Sequence, residues 1–185
     1  SFNNAGDKQK LIEIKNWGPL RLGNSGSYFY GAGNLNITAT DILNLTGTTT
    51  MYRAFRSANT ITTIPNMNQW DMSEITLMNE MFYTAANFNQ NISTWNTSKV
   101  TNMAYMFESA YSFNQDISSW DVSSVVDMTS MFEGVGGKNI DLNSWNTRSL
   151  VHTENMFKDA WGLNINLSGW NTTNLENMKS MFTYA

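Results

Sequence analysis

Acidic side chains recur in step along this sequence. Glu108 is answered by Glu133 and Asp116 by Asp141, each 25 residues on, and the row Asp71, Asn96, Asp121, Asn146, Asn171 keeps the same interval. Two carboxylates facing a cleft are what glycoside hydrolysis needs, one as acid and one as base or nucleophile. A series repeated in register makes such pairs automatically, however, so they are read as structural and no catalytic residue is assigned. The five-membered row carries oxygen ligands of the kind that hold Ca²⁺, or that hydrogen-bond sugar hydroxyls or peptide backbone. The plainer reading is a solvated polar ladder. The one histidine, His152, takes the place held elsewhere by Leu77, Asn102, Asp127 and Asn177, and no Ser-His-Asp arrangement can be assembled around it. With no cysteine, disulfides, thiolate metal sites and Cys nucleophiles are excluded. No zincin His pair, phosphate-binding glycine loop or dinucleotide fingerprint occurs. No metal, no cofactor and no enzymatic activity are therefore expected.

The elements that position these residues repeat with them. Trp70, Trp95, Trp120, Trp145 and Trp170 stand 25 apart, and Met-Phe pairs ending in Phe82, Phe107, Phe132, Phe157 and Phe182 keep step. A fixed period of this size marks a stacked-repeat protein whose units cannot bury their apolar side alone. Trp70, Trp95, Trp120, Trp145, Trp170, Phe82, Phe107, Phe132 and Phe157 are accordingly expected in the core. The triplet Ile117-Trp120-Val122 ends in an alternation that suits a short strand, with the Asp/Asn row pointing outward. Ser73, Ser98, Ser123 and Thr173 then read as helix N-caps. Val125, Met128, Met131, Phe132 and Val135 follow at helical spacing, predicting about three turns. After Phe88 or Phe113 comes Asn89, Asn114, Asn139 or Asn164, expected as an internal corner ladder. Gly136-Gly137-Lys138, Arg148 and Thr153 depart from the pattern. Trp161, Tyr83, Tyr105 and Tyr111 occupy variable positions, and exposed aromatics that break a repeat are candidates for partner contacts.

Residues 1–16 read as an N-terminal cap segment, and 17–185 as about seven units, the first two degenerate and the last truncated. A continuation of the polypeptide beyond Ala185, with further units or domains, is the expectation. The net charge of −4 gives no basic footprint for nucleic acid or anionic membrane. No apolar run approaches the ~20 residues of a membrane span.

The stretch from Phe113-Asn-Gln-Asp-Ile-Ser-Ser-Trp to Met131-Phe132 resembles the bacterial surface-protein repeat of BspA-like proteins, mycoplasma surface lipoproteins and related listerial proteins. Ile14-Lys-Asn-Trp-Gly18 to Tyr28-Phe29-Tyr30 resembles the segment preceding such arrays. The family is similar to leucine-rich repeats, and the apolar-x-x-Trp-x-apolar spacing echoes their strand motif. The expected fold is α/β: a leucine-rich-repeat-like right-handed solenoid with short parallel strands on the concave side and short helices on the convex side. The resemblance implies an extracellular or surface-anchored adhesion module, without enzymatic activity, whose partner is a host or neighbouring-cell protein or glycan. The alternative is a passive stalk. The residues expected to meet a ligand are Asp71, Asn96, Asp121, Asn146, Asn171, Trp161, Tyr105 and Tyr111.

Overall fold

A computed structural model describes residues 3–136 and 140–185. Among them there is no α-helix. Regular structure amounts to two short 3-10 segments, Lys8–Lys10 and Met67–Gln69, and two strands of two residues each, β1 (Glu13–Ile14) and β2 (Asn36–Ile37). The strands pair in parallel, Glu13 opposite Asn36 and Ile14 opposite Ile37. This overturns the α/β solenoid of concave strands and convex helices. The chain builds layers of tight turns instead.

The destination of the backbone N–H groups explains the difference. Over residues 78–85, the N–H groups of Met78, Glu80, Phe82 and Thr84 donate to the carbonyls of Asn102, Ala104, Met106 and Glu108 in the following unit, at 2.8–3.0 Å. The intervening N–H groups of Met81, Tyr83 and Ala85 close turns on Met78, Glu80 and Phe82 at 2.9–3.3 Å. A helix would send the Phe82 N–H back to Met78, but that donor is committed to Met106. The apolar spacing that mimics a helical stripe is thus a spacing between turn ends. Met78, Met81, Phe82 and Ala85 are buried, and the residues between them, such as Glu80 and Tyr83, are half-buried.

The Trp triplet behaves the same way. Trp120 N–H closes on Ile117 at 3.1 Å and Val125 N–H on Val122 at 2.9 Å, so the expected strand is a pair of turns. Beyond β1 and β2, parallel pairing between units takes the form of isolated bridges, among them the series linking Thr50, Leu77, Asn102, Asp127, His152 and Asn177 in sequence. The turns around each Met-Phe pair need left-handed residues: Glu80 and Thr84, Tyr105 and Ser109, and Asn155 and Asp159 all lie at φ 54–60°. That conformation costs a residue with a side chain about 1–2 kcal/mol, and only Gly134, in the position of Ser109, avoids it.

One hydrophobic cluster runs from Trp17 to Met181. Its spine is a column of phenyl rings, Phe29, Phe55, Phe82, Phe107, Phe132, Phe157 and Phe182, with successive centroids 5.3–5.9 Å apart. Trp70, Trp95, Trp120 and Trp145 are buried with the first six of these rings, whereas Trp170 is half-buried and Phe182 is 53% exposed. Each later indole also ties two units together. Trp95, Trp120, Trp145 and Trp170 donate to the carbonyls of Met67, Ile92, Ile117 and Leu142 at 2.9–3.1 Å. The buried indole nitrogens of Trp17 and Trp70 find no partner. For Trp70 the register is shifted: Phe55 and Phe82 are 27 residues apart rather than 25, so the position matching Met67, Ile92, Ile117 and Leu142 is Thr40, 30 residues before Trp70 rather than 28.

The asparagine corners are not internal. Asn89, Asn114 and Asn164 are exposed, and Asn89 Oδ1 accepts the Asn114 N–H at 2.9 Å and the Gln115 amide at 2.8 Å. Asn139 lies outside the described residues, as do Gly137 and Lys138 of the expected departure.

Candidate functional site

The outward row begins as a device of the backbone. The side-chain oxygens of Asp71, Asn96, Asp121, Asn146 and Asn171 accept the N–H of the residue two further on, at 3.0–3.4 Å. These are Asx turns, which these side chains favour because they replace a main-chain acceptor. The residues expected to cap helices, Ser73, Ser98, Ser123 and Thr173, are therefore the ones being capped. Hydrogen bonds from Ser73 and Ser123, hydroxyl first and amide second, hold the Asp71 and Asp121 carboxyls below the usual carboxylate range. Asp116 and Asp141 accept in the same way from Ser118 and Asn143 at 2.9 and 3.0 Å. The hydroxyls beside the row point along the stack: Thr94, Ser119 and Ser144 donate to the carbonyls of Asn68, Ser93 and Ser118 in the preceding unit. All five residues of the row are exposed, and each commits one oxygen to its own turn.

The aromatic candidates divide. Trp161 is 69% exposed and Tyr111 62%. They hold one register position two units apart, and the intervening unit has Gly136 there. A Cβ on Gly136 would meet the backbone of Trp161 at 2.6 Å, and one on Gly134 would stand 3.6 Å from the Tyr111 ring. The two exposed rings thus border a stretch of bare backbone. Tyr105, at 37%, sits elsewhere, in the turns around the Met-Phe pairs.

Those turns bring Tyr83, Tyr105, Glu108 and Glu133 together with Arg53, Arg56 and Glu80, which the spacing did not single out. Two columns of outward side chains run beside each other, Arg53-Glu80-Tyr105-Ser130-Asn155 and Tyr30-Arg56-Tyr83-Glu108-Glu133-Lys158. Arg53 grips Glu80 with Nε at 2.9 Å and Nη2 at 3.1 Å, and Arg56 pairs with the same carboxylate. The Arg56 guanidinium lies over Tyr30 at 5.1 Å and over Tyr83 at 4.1 Å, a cation–π sandwich. The Tyr83 hydroxyl donates to Glu108, and Lys158 pairs with Glu133 at 2.6 Å. Between these neutralised steps stands one like-charge step, Glu108 over Glu133. Burial first, and then the Glu133 charge, push the Glu108 carboxyl up to about 7, against the Tyr83 hydrogen bond and the positive charges of Arg56 and Lys158. The Tyr105 phenol is raised too, by burial and then by Glu108, Asp127, Glu154 and Glu133. The potential at that ring is thus negative.

A hollow of about 340 Å³ opens here, lined by Arg53, Arg56, Glu80, Tyr83, Tyr105, Glu108, Ser130, Glu133 and Asn155. A second hollow, of about 350 Å³, is lined by Ile140, Asp141, Asn143, Asn164, Ile165 and Asn166. It gathers three amides and one carboxylate. Of the acid pairs read from the sequence, Glu108 and Glu133 meet in a pocket, while Asp116 and Asp141 serve exposed turns. His152 is half-buried in the bridge row. Arg53, Arg56 and Glu80 were missed because the 27-residue interval between Phe55 and Phe82 hides their register. Counting from the Phe column would have aligned Arg56 with Tyr83 and Arg53 with Glu80.

A family model described as Mycoplasma protein of unknown function, DUF285, matches residues 49–160 and 137–185. No curated protein and no solved structure matches the chain.

Proposed function

The chain belongs to the DUF285 family of Mycoplasma proteins of unknown function, and on that premise we propose that it is a surface recognition module. In this reading it stands outside the cell, resembles the BspA-like and mycoplasma surface-lipoprotein repeats, and binds a host or neighbouring-cell protein or glycan without catalysing a reaction. The observation that carries it is the pair Tyr111 and Trp161, exposed at 62% and 69% across Gly136. A buried ring stabilises the core, but an exposed one contributes little to folding and much to a contact, because large rings dominate interface energetics. The polar Asx row would supply adaptable hydrogen bonding around them.

The test is an array of glycans and host surface proteins probed with the wild-type chain and with Tyr111→Ser/Trp161→Ser. Both rings are exposed, so the double variant should melt with the wild type, and it should lose at least tenfold in retention of whatever the wild type holds. Undiminished retention by the variant refutes the reading. A wild-type chain that retains nothing favours the alternative, a passive spacer, which the commitment of the Asx oxygens to the chain's own turns also suits.

A further inference from the structure

The two outward columns beside the Met-Phe turns are matched pair by pair, except at one place. Reading along them, Tyr30, Arg56 and Tyr83 stack; Arg53 and Arg56 share Glu80; Tyr83 bonds Glu108; and Glu133 holds Lys158. Glu108 over Glu133 is the only step in the column where two charges of one sign are adjacent, and it is where the 340 Å³ hollow opens. Tyr83 and Tyr105 line the same hollow. Besides Arg53 and Arg56, which are taken up by Glu80, the hollow thus offers two carboxylates and two phenol rings, in a chain that already places guanidinium groups over tyrosine faces at 4.1 and 4.6 Å, Arg56 on Tyr83 and Arg53 on Tyr52. A planar cation that donates in two directions fits both features, since guanidinium bonds carboxylates as a fork and stacks on aromatic faces.

We infer that this pocket receives the guanidinium of an arginine side chain from a protein partner, held between Glu108 and Glu133 beside Tyr83 and Tyr105. The inference rests on the recognition reading above and gives it a ligand chemistry. Charge complementarity selects the occupant. Glu108, Glu133, Glu154 and Asp127 all act on Tyr105, while the nearby cations Arg53, Arg56 and Lys158 are occupied with Glu80 or Glu133. A guest cation neutralises the like-charge step and so draws the proton off Glu108. Binding should therefore tighten as pH rises from 6 to 8, and at pH 7 it should release up to about half a proton per site, because Glu108 titrates near there.

The experiment is calorimetric titration of the chain at low salt with an end-blocked hexapeptide containing arginine, and with the same peptide carrying citrulline, which keeps the shape and loses the charge. Wild type should bind the arginine peptide at least tenfold more tightly than the citrulline peptide. Glu108→Gln should lose that preference, whereas Glu176→Gln, an exposed acid in the last unit, should keep it. Titration in two buffers of different ionisation enthalpy reads the released proton independently of any variant's folding. Equal binding of the two peptides, a preference that survives Glu108→Gln, or no binding at all overturns the inference. If the array finds a ligand lost by Tyr111→Ser/Trp161→Ser while the arginine peptide fails, the recognition reading stands and the pocket falls. If the peptide binds and the array is blank, the reverse holds.

Discussion

Trp70 and Trp120 occupy the same place in their units and are each 3% exposed, but only Trp120 has a partner for its indole N–H, the carbonyl of Ile92 at 3.0 Å. Replacing each by Phe separates ring volume from hydrogen bonding. The smaller ring leaves a void in both cases, worth about 1–2 kcal/mol when scaled from the ~3–5 kcal/mol of truncation to Ala. At position 120 the substitution also deletes a hydrogen bond, about 1 kcal/mol net. The Ile92 carbonyl keeps the Trp95 N–H at 3.2 Å, so no acceptor is orphaned. At position 70 the substitution removes a buried donor that had nothing to donate to, which recovers about 1–3 kcal/mol of desolvation. Trp120→Phe should therefore destabilise by about 2–3 kcal/mol and Trp70→Phe by about zero, a gap of about 2 kcal/mol or more. Urea unfolding followed by far-UV circular dichroism reads the gap as a difference in midpoint at constant m. Equal losses at the two positions would refute the argument that the 27-residue interval strands the Trp70 indole.

Three further outcomes follow from the same geometry. Glu108 has a folded-state pKa of about 7 against an ordinary 4.5, so its contribution is complete below the lower value and is lost as pH rises through the higher one. Stability should fall between pH 5 and 8 by about 1–2 kcal/mol after allowance for its partial exposure, and Glu108→Gln should flatten that slope in melts taken across the range. Glu80 is 13% exposed and serves both Arg53 and Arg56, so Glu80→Ala leaves two guanidiniums adjacent and should cost about 2–4 kcal/mol by urea midpoint. Ser109 lies at φ 57° where the next unit has Gly134, so Ser109→Gly should raise stability by about 1 kcal/mol. A loss of stability on that change would mean the serine side chain compensates for its backbone.

The period and the inward set were legible because burial repeats with the units: each of Trp70, Trp95, Trp120 and Trp145 is interior, and so are the Phe rings that keep step with them. The kind of element was not legible. Val125, Met128, Met131, Phe132 and Val135 step by three, three, one and three, and a run of turns whose ends face inward produces the same steps as a helical stripe. The two differ in where the Phe132 N–H goes, which is to Met156 in the next unit at 2.9 Å, and no single unit's sequence records that. Glycine would have signalled the left-handed corners, yet Glu80, Thr84, Tyr105 and Ser109 hold them without it. The Asx row was legible as an outward row, but its spacing did not record that one side-chain oxygen of each residue accepts the N–H two residues on.

The stack also limits how surface chemistry can be arranged. Because alternate N–H groups of the turns around each Met-Phe pair reach the next unit, an outward residue of those turns acquires fixed neighbours above and below, at the ~4.8 Å of paired backbones. Charge along a column is then a one-dimensional problem, in which a side chain must suit both neighbours at once. Arg56 suits Tyr30 and Tyr83, and Lys158 suits Glu133. Glu108 suits Tyr83 but not Glu133, and it answers by holding its proton near neutral pH. Exchanging Glu133 for Gln would relieve Glu108 but deprive Lys158, so no single neutral substitution at that position satisfies the whole column. A cation from outside does, since it lies beside the column rather than in it. The mismatch therefore marks where this otherwise self-paired surface has most to gain from a partner.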